Sequence, residues 1–160
     1  MWFDNCSISR LIGVTLRSVT RNGNESIDFE SDGERWRMYY EPDCCATCTI
    51  EDVIGDLDDL VGSPIVMAEE STNSDSPKES EYADESFTWT FYKLATAKGY
   101  VTIRWYGSSN GYYSETASFR SLGLKAIEPV MGDAVSIALE VALHELAGFG
   151  RFRTETKAKA

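Results

Sequence analysis

Phe87-Thr-Trp-Thr-Phe-Tyr92, followed by Tyr100-Val-Thr-Ile-Arg-Trp-Tyr106 and Tyr112-Tyr-Ser-Glu-Thr-Ala-Ser-Phe119, is the stretch that decides the fold. Aromatic and β-branched residues dominate all three runs, and Lys98-Gly99 and Asn110-Gly111 supply turn chemistry between them. The spacing predicts an antiparallel meander. Alternation places Val101, Ile103 and Trp105 on one face and Tyr100, Thr102, Arg104 and Tyr106 on the other, so one face is core and the other is half polar and aromatic.

Upstream, Ile12, Val14, Leu16 and Val19 follow a two-residue alternation that slips once, which reads as a strand with a bulge or short turn. Asn22-Gly23 signals a hairpin into Ser26–Glu30, and Asp32-Gly33 turns the chain into Arg35–Tyr40, completing a second meander. Between the meanders, Ile50, Val53, Ile54, Leu57, Leu60 and Val61 fall at threes and fours, with acids on the other side. That period predicts a short acidic helix, broken at Gly55 and ended by Gly62-Ser-Pro64, with a short strand at Ile65–Met67.

The segment from Ser71 to Ser80 has no apolar period and is rich in loop formers, so residues 71–85 are expected to form a flexible acidic loop. Met131–Ala147 carries a broad apolar face ended by Gly148 and Gly150, and a basic tail closes the chain. The arc is wider than one packing face needs, and Ala134, Ala138 and Ala142 allow close helix approach. That helix either sinks into its own sheet or, as the small residues favour, forms a homodimer through residues 131–147. The expected class is α+β: two antiparallel β-meanders forming a twisted sheet or small sandwich, a short acidic helix and a C-terminal helix. The expected division is a core at 1–122 and a helical extension at 123–160.

Of the 160 residues, 26 are Asp or Glu and 15 are Lys or Arg, a formal charge of −11. Glu51 to Glu85 holds twelve acids and one base, Lys78, so this segment carries the whole imbalance. Such a chain is unsuited to neutralising a phosphate backbone, which argues against direct nucleic-acid binding. No basic segment precedes a long apolar run at the start, and no run reaches the roughly 20 apolar residues of a bilayer span. The expectation is a cytoplasmic protein without membrane contact, whose cysteines stay reduced.

Cys45-Ala-Thr-Cys48 has a CxxC spacing with Cys44 adjacent, but the single histidine, His144, is remote and has no paired ligand. Cys44, Cys45 and Cys48 are therefore weak metal candidates, and no cofactor is expected. No nucleophile elbow, phosphate-binding loop or dinucleotide fingerprint is present in the sequence. An enzyme is the less favoured class.

Asp43-Cys-Cys45, Ile50–Leu60, Gly62-Ser-Pro-Ile65 and Ala68-Glu-Glu70, with Thr88–Thr96 and Gly99–Ser114, resemble in order and spacing an uncharacterised family of small acidic proteins. That family, a domain of unknown function, is carried mainly by bacteriophages and prophages. The resemblance covers about residues 11–122 and implies an accessory protein acting inside an infected bacterial host. It brings no reaction or ligand, and this chain has Tyr40 where many members have His, which counts against a metal role.

Two constellations remain. Glu51, Asp52, Asp56, Asp58, Asp59, Glu69 and Glu70 can present repeated carboxylates to the basic groove of a nucleic-acid-processing host protein, as a nucleic-acid-mimicking inhibitor would. Alternatively, Trp89, Tyr92, Tyr100, Arg104, Tyr106, Tyr112 and Tyr113 offer ring faces for a base and a guanidinium for a phosphate, as a nucleotide-binding sponge would. The plain counterpart of both is an aromatic core and a solvated acidic face.

Overall fold

In the computed structural model, residues 4–79 and 84–124 are described. Eight strands form two antiparallel sheets: β1 (Leu16–Asn22), β2 (Ser26–Ser31), β3 (Glu34–Tyr39) and β8 (Ser118–Leu124) in one, and β4 (Ala46–Ile54), β7 (Tyr100–Ser109), β6 (Ser86–Ala95) and β5 (Met67–Asn73) in the other. Their order is β1-β2-β3-β8 and β4-β7-β6-β5. Helical geometry among the described residues is limited to two four-residue 3-10 turns, Ile8–Leu11 and Leu57–Leu60. The class is therefore mostly β, which corrects the α+β expectation.

The largest correction concerns residues 50–61. Cys48 and Ile50 point into the core along β4, and a bulge between Ile50 and Asp52 then adds one residue, bringing Val53 back to the same side. Leu57 and Leu60 follow at the three-residue repeat of a 3-10 turn. A bulged strand running into a 3-10 turn thus reproduces threes and fours without an α-helix. Gly55 lies between the two pieces at φ 99°, where a Cβ would meet the Tyr100 carbonyl oxygen. Asp56 caps the turn, its carboxylate accepting from the Asp58 amide at 2.9 Å.

The second meander is corrected too. β6 and β7 pair in unbroken register from Ser86↔Ser109 to Ala95↔Tyr100. Residues 112–117 are not a third strand beside them; the chain crosses instead, and β8 pairs with β3 in the other sheet. β5 runs from Met67 to Asn73, longer than the short strand expected, so Ser71, Thr72 and Asn73 belong to the sheet. The C-terminal helix expected at 131–147, its homodimer and the basic tail lie outside the described residues.

Both sheets contribute to one core. Ile27, Phe29, Trp36, Met38 and Phe119 come from one, and Cys48, Ile50, Tyr92, Leu94, Val101, Ile103 and Trp105 from the other. Trp105, fully buried, donates its indole N–H to the Met38 sulfur at 3.1 Å and so links the inner faces. Strand alternation makes the opposite face of each sheet the outer one.

Candidate functional site

The acidic candidates fall on both edges of the β4-β7-β6-β5 sheet and on the turn at one end. Glu51 and Asp52 lie at the β4 bulge and are partly neutralised: Lys78 Nζ reaches Glu51 at 2.6 Å, and Arg104 reaches Asp52 at 3.4 Å. Asp56 is engaged as a cap. Asp59 accepts the Thr96 hydroxyl through its backbone carbonyl at 2.5 Å, which ties the 3-10 turn to the β6-β7 hairpin. The carboxylates of Asp58, Asp59 and Glu69 have no ion-pair partner among the described residues. Glu70 sits opposite Tyr92 in the β5-β6 register, and partial burial pushes its carboxyl up while hydrogen bonding with Tyr92 works the other way.

The aromatic candidates divide. Trp89, Arg104 and Tyr106 come together on the outer face of the same sheet, joined by Phe87 and Phe91. The Trp89 and Tyr106 rings are 4.6 Å apart, Trp89 and Phe91 are stacked at 6.5 Å, and the Arg104 guanidinium lies 4.9 Å over the Trp89 ring. Tyr92, by contrast, is fully buried on the inner face, where its hydroxyl donates to the Ala117 carbonyl at 3.1 Å. Tyr100 sits at the far end of β7. Tyr112 and Tyr113 form an edge-on pair in the segment after β7. Only Trp89, Arg104 and Tyr106 of the seven form a common site.

That outer face is partly covered. The Trp89 indole donates to the Ser76 carbonyl at 2.9 Å, the Lys78 amide donates to the Tyr106 hydroxyl at 3.3 Å, and the Tyr106 hydroxyl donates to Asp84 at 2.5 Å. Burial, followed by the Asp84 carboxylate, raises the Tyr106 hydroxyl above its ordinary range. Beside these contacts remains a shallow cleft of about 440 Å³ lined by Asp75, Ser76, Pro77, Trp89, Phe91 and Arg104, among others.

The cysteines do not converge on a metal geometry. Cys44 and Cys45 are exposed in a turn with their sulfurs 3.4 Å apart, and Cys44 Sγ lies 3.2 Å from the Tyr113 hydroxyl. Hydrogen bonding with Tyr113, then with Cys45, holds the Cys44 thiol below its usual range. Cys48 instead points into the core, where burial pushes its thiol up to about 12. No group of three or more potential metal ligands is found among the described residues.

Sequence reasoning missed Glu115. It is nearly buried, with Ser109 donating to one carboxylate oxygen at 2.6 Å and Thr88 to the other at 2.8 Å. Burial alone would raise its carboxyl, but hydrogen bonds from Ser109, Ser86 and Thr88 outweigh it and hold the group below the ordinary range. Gly107 makes room for this segment, since a Cβ there would strike the Glu115 carbonyl. The only signal in the sequence was an acid in a serine- and threonine-rich stretch, with its donors supplied by two strands.

Among the described residues, no helix is long and apolar enough to cross a membrane. No curated protein and no solved structure matches the chain. Residues 9–119 match a domain of unknown function, DUF7448, which covers both sheets as far as the start of β8, and the chain belongs to that family.

Proposed function

We propose that this protein is a non-enzymatic phage accessory protein that binds and inhibits a host protein in the bacterial cytoplasm. Its acidic surface would occupy a basic groove that otherwise holds nucleic acid, as in a nucleic-acid-guided or nucleic-acid-cleaving defence complex. The phage and host setting comes from the family resemblance. The observation that carries the binding mode is electrostatic: twelve acids and one base lie between Glu51 and Glu85, and Asp58, Asp59 and Glu69 remain without an ion-pair partner among the described residues. Uncompensated charge held on a β scaffold favours association with a cationic surface and speeds encounter.

Affinity capture from host lysate with the full chain tests it. Replacing Asp56, Asp58 and Asp59 with Asn keeps the Asp56 cap in kind and should weaken partner binding by roughly tenfold or more. Binding should also fall steeply with salt. A captured partner indifferent to both changes overturns the reading.

A second reading is favoured by the grouping of Trp89, Phe91 and Arg104 around the cleft. A nucleotide could stack there, although Arg104 must leave Asp52 to meet its phosphate. A nucleotide at about a hundredfold excess over its Kd would raise the melting temperature, and Arg104→Ala would abolish the shift.

A further inference from the structure

We propose that the outer edge of β5, Met67-Ala-Glu-Glu-Ser-Thr-Asn73, is a strand-addition site for an extended, basic, proline-free segment of the partner protein. This rests on the acidic-surface reading and specifies how that surface is engaged.

A sheet edge offers unpaired N–H and C=O groups, and folded proteins blunt such edges with bulges, covering chain or charge. Here β8 is covered: Cys6 N donates to the Phe119 carbonyl at 2.9 Å and Ser121 N to the Asp4 carbonyl at 3.2 Å. β1 carries a register break between Leu16 and Ser18, and Gly62 N donates to the Leu16 carbonyl at 2.9 Å. β4 has its bulge at Ile50 and Asp52, and Ile50 N donates to the Asn24 carbonyl at 2.9 Å.

β5 has neither a bulge nor, past Ile65, a hydrogen-bonded covering segment among the described residues; the 3-10 turn Ile8–Leu11 packs against it, and charge, at Glu69 and Glu70, is what blunts its edge. Its register with β6 is unbroken from Met67↔Ala95 to Asn73↔Trp89. The neighbouring chain closes this edge at Ile65, through Gly13 N to the Ile65 carbonyl at 2.7 Å and Ile65 N to the Val14 carbonyl at 2.9 Å. Beyond that point no backbone hydrogen bond reaches its outer side among the described residues. Glu69 through Asn73 are all exposed.

Charge selects the occupant. Strand alternation puts Glu69 on the outer face, opposite Lys93 of β6, and Glu70 on the inner side, opposite Tyr92. A strand added here with two adjacent Lys or Arg residues sets one cation against each carboxylate, while its backbone completes the ladder. Repulsion between edge carboxylates at the same time opposes pairing with an acidic strand or with a second copy of β5.

The test adds a capped heptapeptide, Thr-Val-Lys-Lys-Val-Thr-Val, to the full-length protein at low salt and follows amide hydrogen exchange. A second peptide of the same sequence is N-methylated at alternate residues, which keeps the charge and removes one edge's donors. The expected result is slowed exchange within residues 67–73, with binding about tenfold weaker for the methylated peptide and for the Glu69→Gln, Glu70→Gln variant. Asp28→Asn, on the other sheet, should bind as the parent does. Equal binding of the two peptides, protection outside residues 67–73, or no binding overturns the inference. So does protection of this edge without peptide: independent of protein concentration it means the chain's own segments cover β5, and rising with concentration it means a second copy does. The acidic-surface reading fails separately, if the captured partner ignores Asp56→Asn, Asp58→Asn, Asp59→Asn and salt.

Discussion

The outer faces of the two sheets are finished in different ways. On the β1-β2-β3-β8 sheet, cations meet partners on neighbouring strands: Arg37 grips Asp28 with two hydrogen bonds of 2.6 and 2.9 Å, and Arg120 lies 5.2 Å over the Tyr39 ring. Part of that face's charge is thus paired within the sheet, whereas the buried Tyr39 hydroxyl has no hydrogen-bond partner among the described residues. On the β4-β7-β6-β5 sheet the corresponding positions hold Phe87, Trp89, Phe91 and Tyr106, and chain from outside the sheet, at Ser76, Lys78 and Asp84, supplies their polar partners. Both inner faces, by contrast, are lined mainly by apolar side chains. The aromatic group and the acidic flanks therefore both belong to the second sheet.

Trp105→Ala should abolish this comparison by removing what the sheets share. The side chain is fully buried and bridges to Met38, so truncation is expected to cost about 4 kcal/mol, and both sheets should unfold together in a single urea transition. Two separable transitions would mean that the core does not couple the sheets. Trp89→Ala sharpens the comparison. This ring is only half-buried but meets Tyr106, Phe91, Arg104 and the Ser76 carbonyl, so a loss of about 2 kcal/mol is expected, with little dependence on salt. Faster proteolysis near residues 76–79 should accompany it, because the indole holds that segment down.

How far this contrast was legible in the sequence depends on locality. The first meander and the β6-β7 hairpin follow from two-residue alternation and turn residues that lie next to one another in the chain. At β4 the bulge and the following 3-10 turn mimic a helical period, so local spacing alone does not separate them from a helix. The sheet change at β8 left no mark, since alternation reports which face a residue occupies and not which strand lies beside it. Within the aromatic group, Trp89, Arg104 and Tyr106 share a side, whereas Tyr92 is three positions from Trp89 and so belongs to the opposite face by simple parity. The docking of Ser76 and Lys78 joins segments that have no common period, and the hydroxyls around Glu115 come from strands 20 or more residues earlier as well as from Ser109 nearby.

Glu115 offers a smaller effect that belongs to the crossing between sheets. Glu115→Gln keeps the shape but gives up the charge-assisted bonds from Ser109 and Thr88, an expected loss of about 1.5 kcal/mol at neutral pH. The folded-state carboxyl titrates below its ordinary value near 4.5. Its contribution is accordingly complete above that value and disappears as pH falls through the lower folded one. The stability gap between parent and variant should narrow in that acidic window, and a gap that widens there would contradict the hydrogen-bond assignment.

The smallest effect tests the face of the first sheet, where Arg37 pairs with Asp28. Asp28→Asn removes a carboxylate whose group is held below its ordinary value of 3.8, first by the hydrogen bond from Arg37, against burial, and then by the one from Asn22. Both partners of the ion pair are partly exposed, so water screens much of the attraction, and the loss should be no more than about 1 kcal/mol at neutral pH. Because the folded value is the lower one, the parent's advantage is present above the ordinary value and is lost as pH falls through the folded one. It should also shrink in molar salt, unlike the loss from Trp89→Ala. Paired denaturation curves at pH 7 and at about pH 2, each at low and high salt, separate the two faces. If Asp28→Asn costs as much as Trp89→Ala, or keeps its full cost in acid, the first sheet's outer face is held by packing rather than charge, and the contrast between the two faces is lost.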